Sequence, residues 1–248
     1  MRSFLTLLLT VFSFSLMAQN IEGSWKLISL NGKAVNDKEY VRIYQDGYFA
    51  FGGKELKGDR FLDAGGGTYE IKGDRYAETL DFYTSDPQRI GKTVEYKIKA
   101  TSNEIRIEES VAGEKKVAVW QKISDKKDDL AHNWVITARA NSEGVVNEIV
   151  PGDRRTVKIL GGGRFQWIAF NSKTGEFSGT GGGTYTAKDG KYVEHITFFS
   201  RDDNRVGAQL EFNYAIVDGK WHHTGKSSTG NPINETWSKY KEAYKPAQ

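Results

Sequence analysis

Two carboxylates lie on the side of a strand where a charge is hardest to keep. In Tyr76-Ala77-Glu78-Thr79-Leu80-Asp81-Phe82, strict alternation puts Tyr76, Glu78, Leu80 and Phe82 on one face. Tyr192, Glu194, Ile196 and Phe198 share the corresponding face further along the chain. The opposite face carries Thr79 and Asp81, then His195 and Thr197, and reads as solvated. An unpaired buried carboxylate costs several kcal/mol or takes up a proton, so each glutamate needs a partner. Arg89 and Arg205, the neighbouring tyrosine hydroxyls, or the polar end of a ligand could serve, and an arginine offers bidentate geometry. Three roles fit such a carboxylate: a fixture of the scaffold, a group that orients a ligand, or a catalytic acid or base. Its presence in both halves favours the fixture, since each copy of a duplicated scaffold needs its own.

The following strand places Val94, Tyr96 and Ile98 on one face, matched by Leu210, Phe212 and Tyr214. With the Tyr/Leu/Phe face this would line a concave apolar pocket; equally, a small barrel can fill with its own side chains. Trp25, Trp120, Trp134 and Trp237 sit at matched ends of the two halves and are expected as plugs. Trp167 and Trp221 belong to the second half alone and are either core or contact residues for a ligand or partner. The ligand-binding candidates are thus Tyr76, Glu78, Phe82, Arg89 and Tyr96, then Tyr192, Glu194, Phe198, Arg205 and Phe212, with Trp167 and Trp221.

Other chemistries find little support. Gly65-Gly66-Gly67 and Gly181-Gly182-Gly183 lead into Thr-Tyr strands, whereas a phosphate loop needs Gly-Lys-Ser/Thr and a helix; a bend, bulge or close backbone approach suits them better. His222 and His223 are adjacent and would face opposite sides of a strand, and no zinc-ligand spacing occurs. There is neither a nucleophile elbow nor a cysteine. No cofactor, no metal and no catalytic residue is predicted. A hydrolase acting on lipid or glycan stays open only if two carboxylates converge in a cleft.

The elements that position these residues come in duplicate. Gly65–Tyr96 recurs without a gap as Gly181–Phe212, 116 residues on, each copy opening on Gly-Gly-Gly-Thr-Tyr and carrying Tyr-x-Glu and Arg-x-Gly. Strand formers dominate the 248 residues, with 13 Phe, 12 Tyr, 6 Trp and only 4 Pro, while 27 Gly supply turns. Short alternating segments separated by Gly, Asn and Asp predict all-β structure: two tandem up-and-down antiparallel β-barrels of about eight strands each. The expected layout is a signal peptide at 1–18, a first barrel at 19–124 and a charged linker at 125–129. A second barrel at 130–241 and a frayed tail at 242–248 complete it.

Gly23-x-Trp25 in the opening strand and Trp120-Gln121-Lys122 in the closing one resemble the calycin group, the lipocalins and fatty-acid-binding proteins. Gly-Gly-Thr-Tyr followed by Tyr-x-Glu is similar to lipocalin-like domains of secreted proteins from Bacteroides-type bacteria. The second copy departs from the pattern, with His132-Asn133-Trp134 in place of Gly-x-Trp. The resemblance implies a barrel with an apolar interior site and no particular ligand.

Met1-Arg2-Ser3, the apolar run Phe4–Met17 and Ala18 read as an export signal, too short for an ordinary bilayer span, which leaves the mature chain secreted or periplasmic with no integral membrane segment. With no cysteine it must rely on its core. The net charge of +3 is dispersed, with no basic stripe for nucleic acid. The expected function is non-enzymatic binding of a small apolar or amphipathic ligand in one barrel, the second by preference. The alternative is a cell-envelope interaction module with filled barrels.

Overall fold

The computed structural model describes residues 20–111 and 113–244, apart from the Val111 side chain. The expected leader at 1–18 and the last four residues lie outside this range.

The first unit comprises β1 (Gly23–Leu30), β2 (Lys33–Ala34), β3 (Lys38–Gln45), β4 (Tyr48–Glu55), β5 (Phe61–Lys72), β6 (Arg75–Tyr83), β7 (Thr93–Ala100), β8 (Glu104–Val111) and β9 (Glu114–Ser124). The second comprises β10 (Asn133–Ala140), β11 (Val146–Glu148), β12 (Arg154–Gly161), β13 (Arg164–Asn171), β14 (Phe177–Lys188), β15 (Lys191–Phe199), β16 (Gln209–Val217), β17 (Lys220–Lys226) and β18 (Pro232–Lys239). Apart from the short β2 and β11, each strand pairs antiparallel with the next and the last returns to the first, β9 on β1 and β18 on β10. The two closed eight-stranded antiparallel barrels expected from the alternation are therefore present, and closure leaves no long open edge. Turns use the residues foreseen: Asp46 and Gly47 both adopt positive φ between β3 and β4, as a tight hairpin requires.

One end of each barrel is plugged in the same way. Trp25 and Trp134 are fully buried, and their indole N–H groups donate to the carbonyls of Ile21 and Leu130, each 2.9 Å away. Around Trp134 in the second barrel, Trp221 stacks on Trp237 at 5.7 Å and Tyr192 closes the floor.

The glycine runs are sites of close approach. A Cβ on Gly67 would lie 1.9 Å from the Thr79 carbonyl oxygen, and one on Gly183 would lie 1.8 Å from that of His195. Beside them β6 and β15 each gain one residue in a bulge, between Leu80 and Phe82 and between Ile196 and Phe198. The bulge overturns one expectation from alternation. Tyr76, Glu78 and Leu80 face the interior, as do Tyr192, Glu194 and Ile196, but Phe82 and Phe198 turn outward, and Tyr83 and Phe199 take the inward positions.

Those outward rings join the barrels. Phe82 packs on Phe170 at 5.6 Å, and Phe198 stacks on Phe61 and covers Gly52, where a Cβ would meet its ring at 2.3 Å. Ile43, Tyr48, Ala50 and Ala64 of the first unit bury against Val157, Ile159, Ile168 and Phe170 of the second. Hydrogen bonds cross the seam from Ser24 Oγ to the Gly162 carbonyl and from the Asn133 amide to Asp46. Asp81, read as solvated, lies in this seam and accepts from the hydroxyls of Tyr48 and Tyr240. The C-terminal turn α1 (Tyr240–Ala243) packs there through Tyr240, and Ala243 and Tyr244, within the expected tail, lie against the same cluster.

Candidate ligand sites in the two barrels

The two buried glutamates find their partners on β3 and β12. Glu78 accepts from the Arg42 guanidinium at 2.6 Å and from the Tyr76 hydroxyl, which is itself 3.2 Å from Tyr44. Glu194 accepts from the Lys158 ammonium and the Tyr192 hydroxyl, both at 2.8 Å. Burial opposes the Arg42 charge, but Glu78 together with the Tyr44 and Tyr76 hydroxyls outweighs it and holds the guanidinium well above its ordinary value. Burial, followed by the adjacent carboxylate, pushes the Tyr76 and Tyr192 phenols well above theirs, so both remain protonated donors. Arg89 and Arg205, expected as partners, point elsewhere. Each closes a short 3-10 turn, where Arg89 donates to the Tyr96 hydroxyl at 2.8 Å and Arg205 to the Ser228 carbonyl at 2.6 Å.

Above each plugged floor a cavity remains, so neither barrel is filled. In the first barrel it measures about 360 Å³, between Leu30, Arg42, Glu78, Tyr96, Ile107 and Trp120. In the second it also measures about 360 Å³ and is lined in part by Lys158, Trp167, Glu194, Phe212, His223 and Glu235. Both fall at the small end of ligand pockets, which run roughly 300–1,000 Å³. Of the sequence candidates, Glu78 and Tyr96 line the first cavity and Trp167, Glu194 and Phe212 the second. Tyr76, Tyr192 and Trp221 are fully buried in the walls or floor, and Phe82 and Phe198 lie in the seam.

The two cavities differ where the closing strands meet. In the first, Ile107 and Leu30 both pair with Ala118, an apolar trio. At the same register in the second, His223 and Arg139 both pair with Glu235. Glu235 forms an ion pair with Arg139 at 2.8 Å and accepts from the Trp237 indole at 3.1 Å, and its Oε2 lies 3.4 Å from His223 Nδ1. Burial works against the Glu235 charge, but His223, Lys158 and Arg139 together hold its pKa below the ordinary carboxylate value. Burial drives the His223 pKa down. Sequence reasoning missed this trio because the repeat it followed ends at Phe212, before β17 and β18 begin.

Glu194 and Glu235 thus line one cavity, but each is paired with a basic side chain. Glycoside hydrolysis needs one carboxyl group with a raised pKa as general acid, and Glu235 is shifted the other way. Among the described residues no cluster of three or more His, Cys, Asp or Glu could hold a metal ion. No helix of the described residues is long and apolar enough to cross a membrane.

Fold and site together define a tandem of two closed antiparallel β-barrels, each with a buried ion pair beneath a small cavity. Residues 129–247, the second barrel, match the family described as a domain of unknown function, DUF4488. Among curated proteins no sequence matches the chain. Among solved structures, one that is similar is a tryptophan-to-alanine mutant of the vaccine antigen transferrin-binding protein B from Haemophilus parasuis Hp5. It shares 8% identity over 84% of this chain, which spans 61% of that protein's length, at a TM-score of 0.23. A TM-score that low assigns neither fold nor ligand to this chain.

Proposed function

We propose that the chain is an exported, non-enzymatic binding protein of the calycin type that holds a small amphipathic molecule in its second barrel. The observation that carries this is the contrast between the cavities. At matched register one presents Leu30, Ile107 and Ala118, and the other presents Arg139, His223 and Glu235 beside Lys158 and Glu194. A scaffold needs one carboxylate fixture per barrel, which Arg42–Glu78 and Lys158–Glu194 supply; it has no use for the second buried network of His223 and Glu235, whereas the further polar residues on the first cavity, Asn31, Glu109 and Lys116, are exposed or half-buried. Buried polar groups over an apolar wall are the usual composition of a ligand site. Next-neighbour strand pairing in both barrels supports the calycin assignment, the leader Met1–Ala18 supports export, and the open cavities speak against a filled envelope scaffold.

Native mass spectrometry of the protein purified from its own host tests the reading. One copurified small molecule per chain is expected. A chain that emerges free of ligand, and that binds no amphipath when challenged, overturns it.

A further inference from the structure

We infer that the second barrel selects an anionic amphipath whose inner end donates a hydrogen bond to His223 Nε2 and whose outer end is held by Arg154 and Arg201. This rests on the binding role proposed above and specifies its ligand.

The inner end is set by His223, which is 1% exposed, lines the cavity and has no partner at Nε2. The charged groups facing it are Glu235 on β18, Lys158 on β12 and Glu194 on β15, and Phe212 packs on the ring at 4.2 Å. Burial lowers its pKa and keeps the imidazole neutral, and its single proton belongs on Nδ1, beside the Glu235 carboxylate. Nε2 therefore offers a lone pair, and an unmet buried acceptor loses the hydrogen bond it had in water. A ligand hydroxyl or N–H restores it.

The outer end is set by charge. Arg139, Arg154, Lys158 and Arg201 line this cavity against Glu194 and Glu235, an excess of two positive charges. Arg139 and Lys158 are taken by the two glutamates, whereas Arg154 and Arg201 have no acidic partner among the described residues. Arg154, Thr156 and Lys158 share one face of β12, so Arg154 stands about 13 Å along the strand from the Lys158 layer. Ile196, Phe199, Leu210 and Ile233 supply the apolar wall. A polar floor, an apolar wall and a cationic rim match a rigid molecule with a donor at one end and an anion at the other.

Calorimetric titration of the full chain with three naphthalene probes tests this: one with hydroxyl and carboxylate at opposite ends, one with the carboxylate alone and one with the hydroxyl alone. The hydroxynaphthoate should bind about tenfold tighter than naphthoate, the worth of one hydrogen bond, and naphthol more weakly than hydroxynaphthoate. His223→Ile, which installs the residue of the first barrel, should erase the hydroxyl preference, read as the ratio of hydroxynaphthoate to naphthoate affinity. His223→Gln, which returns an acceptor oxygen, should restore part of it. Equal affinity of the wild-type chain for hydroxynaphthoate and naphthoate overturns the acceptor assignment while leaving the binding role intact. Tighter binding of naphthol than of hydroxynaphthoate overturns the cationic rim. Failure of all three to bind overturns both the inference and the role beneath it.

Discussion

Arg42 and Lys158 occupy the same place in the two barrels, and neither was legible as the partner of its glutamate. The glutamates themselves were, because a charge on an apolar face stands out from alternation. Their partners lie on β3 and β12, upstream of the segment that visibly repeats, and Arg89 and Arg205 drew attention only because they fall inside it. Both cations in fact sit 36 residues before their glutamates. Because each pair is buried, removing one charge should cost more than the pair contributes. Glu194→Gln leaves the Lys158 ammonium uncompensated and should destabilise the chain by about 3–5 kcal/mol in urea unfolding, with Lys158→Met/Glu194→Gln recovering much of the loss. His223 adds a pH dependence. Its pKa is lower in the folded state than the ordinary 6.5, so below that pH the unfolded chain takes up a proton that the folded chain refuses. Stability should fall as pH drops from about 7.5 to 5.5, and His223→Ile should flatten that fall, read as the shift in urea midpoint at the two pH values.

At the scale of elements, alternation located the strands and the closed antiparallel barrels, since period two survives wherever one face meets a core. It failed at one point per barrel. The extra residue in β6 and in β15 slips the period, sending Phe82 and Phe198 outward, and no spacing in the strand itself marks the slip. The signal lay opposite, in the glycine triplets, read as a bend, bulge or close approach without being tied to a change of face in the neighbouring strand. Gly183→Ala should therefore act through the bulge, since its methyl group would collide with the His195 carbonyl. A loss of about 1–3 kcal/mol is expected in urea unfolding, whereas Gly219→Ala at a hairpin turn, where nothing lies within 4 Å, would perturb local φ without disturbing the wall.

For the whole molecule, the repeat revealed the duplication but not what holds the copies together. Composition cannot tell an inward aromatic from one buried between domains, so the seam of Phe82, Phe170, Ile43 and Val157 had no signature. Nor could the repeat reveal how the copies differ, because difference lies where the repeat stops, in His223 and Glu235. The central claim is that one fold has been kept twice while only the second interior carries a polar ligand site. Calorimetric titration of naphthoate into the wild-type chain and two blocked variants tests it most directly. Leu210→Trp narrows the second cavity and Leu30→Trp the first. One site per chain is predicted, abolished by Leu210→Trp and retained in Leu30→Trp; retention in Leu210→Trp with loss in Leu30→Trp would contradict the account.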